Sequence, residues 1–168
     1  QIELRFPGGP PLICSGYLID GNSLLTAGHC SVEGGQDLAI ASARFFPGRN
    51  RSHGVVVNPF GSCAVASVWA PGQWRRHGRV SFDYSVQQLA PGCDFSESAG
   101  SLGLFTVPGI DAFAGRRLRV EGYPGDKGYG SRWMMAGAVH HNTATVLHYP
   151  MDTAGGQSGS PLFNWNEP

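Results

Sequence analysis

Short apolar runs recur along the chain between turn-forming residues. They are Leu12–Ile19, Ser23–Ala27, Leu38–Phe46, Gly54–Val57, Ala64–Ala70, Tyr84–Leu89, Leu102–Val107, Arg116–Tyr123, Trp133–His140, Thr143–Tyr149 and Pro161–Trp165. They are rich in Val, Leu, Ile, Phe and Tyr. Runs of this length and composition predict an all-β sandwich or barrel and not βαβ units. Turn chemistry falls between them, at Asp20-Gly21-Asn22, Pro47-Gly48-Arg49-Asn50, Asn58-Pro59, Pro71-Gly72 and Pro124-Gly125-Asp126. No helical period of useful length and no internal repeat stands out. The polar, glycine-containing segment Ala90–Ser101 reads as a linker. It predicts a first lobe over 1–95 and a second over 96–168.

Composition narrows the function classes. Of 168 residues, 41% are apolar, which is enough for a core, and only 14% are charged. The 25 Gly and 12 Pro favour frequent turns. Formal net charge is zero, whereas a nucleic-acid or acidic-membrane partner would favour a basic excess. No apolar run is long enough for a transmembrane helix. Cys14, Cys30, Cys63 and Cys93 form no CxxC pair, which argues against a structural zinc site or a redox motif. An even count predicts two disulfides and an oxidising compartment. The chain begins at Gln1 without a signal peptide, so an earlier segment is expected to have been removed.

Three stretches carry candidate chemistry. In Met151-Asp152-Thr153-Ala154-Gly155-Gly156-Gln157-Ser158-Gly159-Ser160-Pro161 a serine stands among residues with little bulk. A nucleophilic hydroxyl needs that clearance, with backbone N–H groups aimed at a developing oxyanion. Alone, the stretch would read as a surface turn. In Leu24-Leu25-Thr26-Ala27-Gly28-His29-Cys30 an apolar strand ends at a histidine beside a cysteine. Cys14 lies on the preceding run, and two adjacent antiparallel strands would bring Cys14 and Cys30 within disulfide reach. In Val80-Ser81-Phe82-Asp83-Tyr84-Ser85-Val86 an acid is embedded among apolar residues, where it needs a hydrogen-bond partner. An imidazolium would suit it.

Together these read His…Asp…Ser in chain order. TAGHC with a cysteine upstream, FDYS and GGQSGSP resemble the chymotrypsin-like serine proteases. Gly122-Tyr123-Pro124-Gly125-Asp126-Lys127, Trp133, Tyr149-Pro150-Met151-Asp152-Thr153 and Pro47-Gly48-Arg49-Asn50 are similar to the secreted glutamyl endopeptidases of the Bacillus and V8 type. The resemblance runs from about Leu12 to Phe163. It implies two six-stranded antiparallel β-barrels, with the active site in the cleft between them. His29 and Asp83 would lie in the first barrel and Ser158 in the second. Ser158 matches the nucleophile, His29 the general base and then acid, and Asp83 the orienting carboxylate. The N–H groups of Gly156 and Ser158 match the oxyanion hole. The resemblance implies a secreted, extracellular enzyme acting on protein or peptide substrates with no metal or organic cofactor. Cys63 and Cys93 flank Asp83 and are left to form the second disulfide by elimination.

Gln157 stands where animal trypsins keep an acid that pairs with a freed N-terminal amine, so that activation switch is not expected. The family normally continues for several strands and a helix past this end, lining the specificity pocket. The second barrel is therefore expected to be incomplete in this chain. The missing strands would be disordered, absent, or carried on a second chain after nicking. Asp152 stands where trypsins keep the acid that selects Lys or Arg, yet the glutamyl endopeptidases resemble this chain in the same Met-Asp-Thr run. Asp152 and Thr153 are the candidate substrate-binding residues. The preference expected is Glu, less readily Asp, with Lys/Arg as the alternative. A catalytically silent protease-fold binding protein is the reading from another class; it would lose a triad residue or an oxyanion glycine, and this chain keeps them all. His140 and His141, adjacent on a strand, would point to opposite faces, so with His148 they read as solvated and not as a metal site. Arg75-Arg76 and Arg116-Arg117 read as solvated strand ends, and at least one of Met134 and Met135 as core.

Overall fold

Alternation decides the start of the chain. Ile2 and Leu4 are buried, whereas Glu3 and Arg5 are turned outward, so Ile2–Arg5 forms strand β1. The computed structural model describes residues 1–104 and 109–164. β2 (Pro11–Cys14), β3 (Tyr17–Leu18) and β4 (Ser23–Thr26) follow, then the small hairpin β5 (Val32–Glu33) and β6 (Leu38–Ala39). β7 (Ser42–Phe45), the hairpin β8 (Asn50–Ser52) and β9 (Val55–Val57), and β10 (Cys63–Trp69) lead into helix α1 (Gly72–His77) and β11 (Ser85–Leu89). Beyond these lie β12 (Arg117–Gly122), β13 (Trp133–Ala138), the pair β14 (His141–Asn142) and β15 (Leu147–His148), and β16 (Leu162–Phe163). The chain is mostly β with little helix, as expected of an all-β fold. No described helix is long and apolar enough to cross a membrane.

The first sheet has the order β2-β1-β7-β10-β11-β4-β3. Its two edge strands, β2 and β3, are consecutive in the chain and joined only by Ser15 and Gly16. The sheet therefore curls until its edges meet at that link. Its core holds Ile2, Leu4, Leu18, Leu24, Ala43, Phe45, Leu89 and Phe95, with the Cys14–Cys30 and Cys63–Cys93 disulfides set into it. The second sheet, β13-β12-β16, backs onto a core of Phe113, Leu118 and Val139.

Several expectations are corrected. Ala90–Ser101 is not a free linker, because Phe95 is buried edge-on against Phe45 and its N–H donates to Gly21 O at 2.7 Å. β1 carries too few residues to stand out as a run. α1 spans one and a half turns with only Trp74 buried, too short for a helical period to register. Arg75 and Arg76 lie on this helix and not at a strand end, and Arg75 pairs with Asp37. Met134 and Met135 are both exposed, 52% and 39%, because β13 is an edge strand of its sheet. The expected strand Leu102–Val107 has no regular structure over 102–104, and 105–108 lie outside the described residues, as does Trp165.

One buried arginine ties the two halves of the chain together. Arg49, from the Pro-Gly-Arg-Asn turn, donates to Gln1 Oε1 and Asn58 Oδ1, each at 2.7 Å, and to Tyr129 Oη at 3.0 Å, and it pairs with Glu3. Its guanidinium carbon lies 3.4 Å from the centre of the Phe46 ring. Tyr123 donates to the Arg49 carbonyl at 2.7 Å, and burial pushes the Tyr123 phenol up to about 12. Burial alone would raise the Glu3 carboxyl, but hydrogen bonds from Tyr129 and Arg49 outweigh it and hold the pKa below its usual 4.5. The resulting stabilisation is present above that value and is lost as pH falls through the folded pKa. The difference in Tm between wild type and Glu3→Gln is therefore expected to be largest near neutrality and to close on acidification. A gap that widens below pH 4 would contradict this account.

Candidate active site

The first half of the site follows from one strand register. β4 and β11 pair antiparallel with Thr26 opposite Ser85. The C-terminal end of β4 thus lies beside the N-terminal start of β11. His29, three residues past β4 in the 3₁₀ turn Gly28–Cys30, and Asp83, two residues before β11, leave the sheet at the same edge. Asp83 Oδ2 lies 2.8 Å from His29 Nδ1, and Asp83 Oδ1 accepts the His29 backbone N–H at 2.8 Å. An ionised carboxylate only accepts hydrogen bonds, so Nδ1 carries the proton and Nε2 keeps its lone pair. The imidazole is 45% exposed and the carboxylate 21%, so the ring faces solvent and the carboxylate backs it.

Residues that sequence reasoning missed hold this pair. Gln87 Nε2 donates to Ser31 Oγ at 2.8 Å; Ser31 Oγ is 2.7 Å from Ser85 Oγ, which donates to Ala27 O at 2.9 Å. Gln87, Ser31 and Ser85 are all fully buried, and this relay fixes the turn that carries His29. Trp74 of α1 donates to Val32 O at 2.8 Å and packs its ring 6.4 Å from the His29 ring. Gly28 lies under both: a Cβ there would stand 2.8 Å from Asp83 Oδ1 and 2.9 Å from Trp74 Cδ1, so only glycine lets the acid approach. Below His29 the Cys14–Cys30 bridge closes a loop of 16 residues. Loops of this size contribute about 3 kcal/mol. The double variant Cys14→Ser/Cys30→Ser is expected to lose stability of about that size in denaturant unfolding. A loss below about 1 kcal/mol would count against a structural bridge.

The second half of the site is the loop 154–160. Gln157 Oε1 accepts the Ala154 N–H at 2.8 Å, and Gln157 N–H donates back to Ala154 O at 3.1 Å. The side chain that stands in place of an acid thus shapes the turn before Ser158. Ser160 N–H donates to Gln157 O at 2.9 Å. Gly159 has φ +81, and a Cβ there would meet Ser15 O at 2.4 Å and Ala27 N at 2.8 Å, so the loop presses directly on β4's end. Ser158 O accepts the Ser15 N–H at 2.8 Å and lies 3.8 Å from Cys30 Sγ, next in sequence to His29. Neither Gly156 N–H nor Ser158 N–H donates to another group among the described residues.

Beside Ser158 opens a cavity of about 220 Å³ lined by Val120, Tyr149, Thr153, Ala154, Gln157 and Ser160. None of the described lining side chains is charged. Thr153 lines this cavity, whereas Asp152 lines a neighbouring one with Asp126, Lys127 and Trp133. His140 lies past the end of β13, so strand alternation does not separate it from His141. The two Nδ1 atoms are 3.2 Å apart, and His141, opposite His148 across the hairpin, stacks on it at 4.2 Å. The three nitrogens do not converge on one point. Among the described residues only Cys14, His29 and Cys30 cluster as ligand atoms, and their sulfurs are bonded to each other.

No protein-family model matches the sequence. The chain is 32% identical over 150 residues to a glutamyl endopeptidase of Bacillus licheniformis, covering 89% of this chain and 45% of that protein. It is 29% identical over 168 residues to an extracellular metalloprotease of Bacillus subtilis, covering 97% of this chain and 50% of that protein. The chain thus spans about half the length of the curated relatives it matches. Its fold superposes on a solved Glu endopeptidase with a TM-score of 0.81 and 27% identity, covering 98% of this chain and 73% of the other. With these likenesses spread over nearly all its residues, the chain has the fold of the chymotrypsin-like serine proteases, and its sequence is similar to the glutamyl endopeptidases.

Proposed function

We propose that the protein is a secreted serine endopeptidase that cleaves after Glu, less readily Asp, through an acyl-enzyme on Ser158. One observation carries the reading: His29, held by both oxygens of Asp83, and the Ser158 loop are fastened to the same end of the first sheet. In this reading His29 Nε2 takes the Ser158 proton as Oγ attacks the scissile carbonyl. The oxyanion is received by the N–H groups of Gly156 and Ser158, each donor of this kind contributing roughly 3–4 kcal/mol to the transition state. The imidazolium then protonates the leaving amine, and an ester to Ser158 remains. Water, deprotonated by His29, attacks that ester and releases the carboxylic acid product with Ser158 restored. Asp83 keeps Nδ1 protonated throughout. The same proposal divides the chain into a lobe over 1–95 bearing His29 and Asp83 and a lobe over 96–168 bearing Ser158. Its partners are protein or peptide substrates, and the likenesses give no support to a separate second chain.

The Glu preference rests on the names of the relatives. The Lys/Arg alternative is weakened because Asp152 lines the neighbouring cavity and not the one beside Ser158. A metal-dependent protease is the second reading, prompted by the name of the Bacillus subtilis relative. The donors present do not suit it, since the cluster at Cys14, His29 and Cys30 offers a disulfide where thiolates would be needed. The test is the full-length protein with peptides differing only in the residue before the scissile bond, with and without diisopropyl fluorophosphate or a chelator. Cleavage after Glu that stops on phosphonylation and survives chelation supports the proposal. Cleavage after Lys or Arg, or loss with chelator alone, sinks it. A folded protein that neither labels nor cleaves would be the silent binding protein.

A further inference from the structure

Ser15 joins the two edge strands of the first sheet, is 1% exposed, and uses its hydroxyl and its N–H on or beside the loop of the other half. Its Oγ accepts the Tyr123 N–H at 2.9 Å and donates to Gly156 O at 2.9 Å. Its N–H donates to Ser158 O at 2.8 Å. Its carbonyl accepts Thr26 Oγ1 at 2.7 Å, anchoring it to β4. Because a carbonyl oxygen can only accept, the hydroxyl proton is committed to Gly156 O, and the Tyr123 N–H donates to a lone pair of the same hydroxyl oxygen. We propose that Ser15 is a positioning residue that sets the direction of the Gly156 and Ser158 N–H groups; this rests on the reading of those groups as oxyanion donors.

The geometry follows from the planar trans peptide, in which C=O and N–H point in opposite directions. Gly155 O is held by Gly125 N–H at 2.6 Å, so Gly156 N–H is turned away from Gly125. Gln157 O is held by Ser160 N–H, so Ser158 N–H points the opposite way. Between these two peptides lies the Gly156–Gln157 peptide, and its carbonyl is held by the Ser15 hydroxyl. Without that hydroxyl, the buried Tyr123 N–H and the half-buried Gly156 O both lose their partner. Rotation of the Gly156–Gln157 peptide toward a new partner changes ψ at Gly156 and φ at Gln157, and so pulls on the two flanking peptides that carry the Gly156 and Ser158 N–H groups. The Ser15 side chain does not line the cavity beside Ser158, so it acts through the loop and not on substrate.

The test uses the full-length protein with Ser15→Ala and Ser15→Gly, kinetics being normalised to the amount of Ser158 labelled at completion by diisopropyl fluorophosphate. A misdirected donor is expected to lower kcat about 10- to 100-fold while KM stays within about threefold. Affinity for a peptide boronate, whose tetrahedral oxygen mimics the oxyanion, should fall in parallel. Affinity for a product-like peptide carboxylate should not change. A role confined to stability would lower Tm and the labelled fraction but leave kcat per labelled site unchanged, and that result overturns the inference. Failure of both variants to fold also overturns it, since the hydroxyl would then hold the fold and not the loop. If wild type itself is not phosphonylated, the serine-protease reading falls and the inference with it. Labelled wild type with unaffected variants sinks the inference alone.

Discussion

Ser158→Ala in the full-length protein is expected to abolish labelling by diisopropyl fluorophosphate and to lower kcat by roughly 10⁶-fold. The loss should be that large because no other hydroxyl is placed to take over. Ser160, two residues on, has its Oγ buried, and a Cβ added at Gly122 would fall 1.9 Å from it, so it is packed away from an incoming carbonyl. The fold should be indifferent to the change. Ser158 is fastened through its carbonyl to Ser15 N–H, and alanine keeps that bond. Tm is therefore expected to stay within about 2 °C of wild type, which corresponds to no more than about 1 kcal/mol in a domain of this size. Peptide cleavage measured against intact-mass labelling checks the prediction. Retained labelling in the alanine variant would place the nucleophile elsewhere.

Asp83→Asn is expected to lower kcat about 10⁴-fold with little change in KM. The direction follows from how the two carboxylate oxygens are used. Oδ1 accepts the His29 backbone N–H and Oδ2 faces Nδ1, both at 2.8 Å. An asparagine must keep its oxygen on the backbone N–H, because that donor has no other partner. Its NH₂ then faces Nδ1 and donates to it. The imidazole is left with Nδ1 as acceptor and Nε2 protonated, the wrong tautomer for a base. Asp83→Ala should be less clean, since it also abandons the His29 N–H and removes the group packed over Gly28. A pH–rate profile separates the two effects: Asp83→Asn should regain activity at high pH, where a hydroxide pathway does not need the base. An asparagine variant with wild-type kcat would remove Asp83 from the mechanism.

The legibility of the site differed sharply between its parts. His29, Asp83 and Ser158 stood out because each sits in a local setting that suits its task, and their chain order added specificity that no single motif had. The residues that hold them did not. Gln87, Ser31 and Ser85 look like ordinary strand and turn polars until β4 and β11 are paired, and Ser15 looks like a residue between a cysteine and a glycine. The histidines at 140, 141 and 148 are exposed, in keeping with the reading as solvated, but the alternation argument for His140 and His141 does not apply, because β13 ends at Ala138. At least one of Met134 and Met135 reads as core on side-chain type alone, but an edge strand leaves both faces less covered and both are exposed.

The sequence by itself determined where strands could form, which residues could do acyl-transfer chemistry and which family the chain resembles. These depend on side-chain type and short spacing, and both are written locally. The tertiary structure alone decided which edge of the sheet His29 and Asp83 share, that Ser15 joins the sheet's two edges beneath the Ser158 loop, and that Asp152 lines a neighbouring cavity. Those outcomes depend on strand register and on the closing of a curled sheet. They are set by contacts between residues far apart in the chain, and a local pattern holds no information about them.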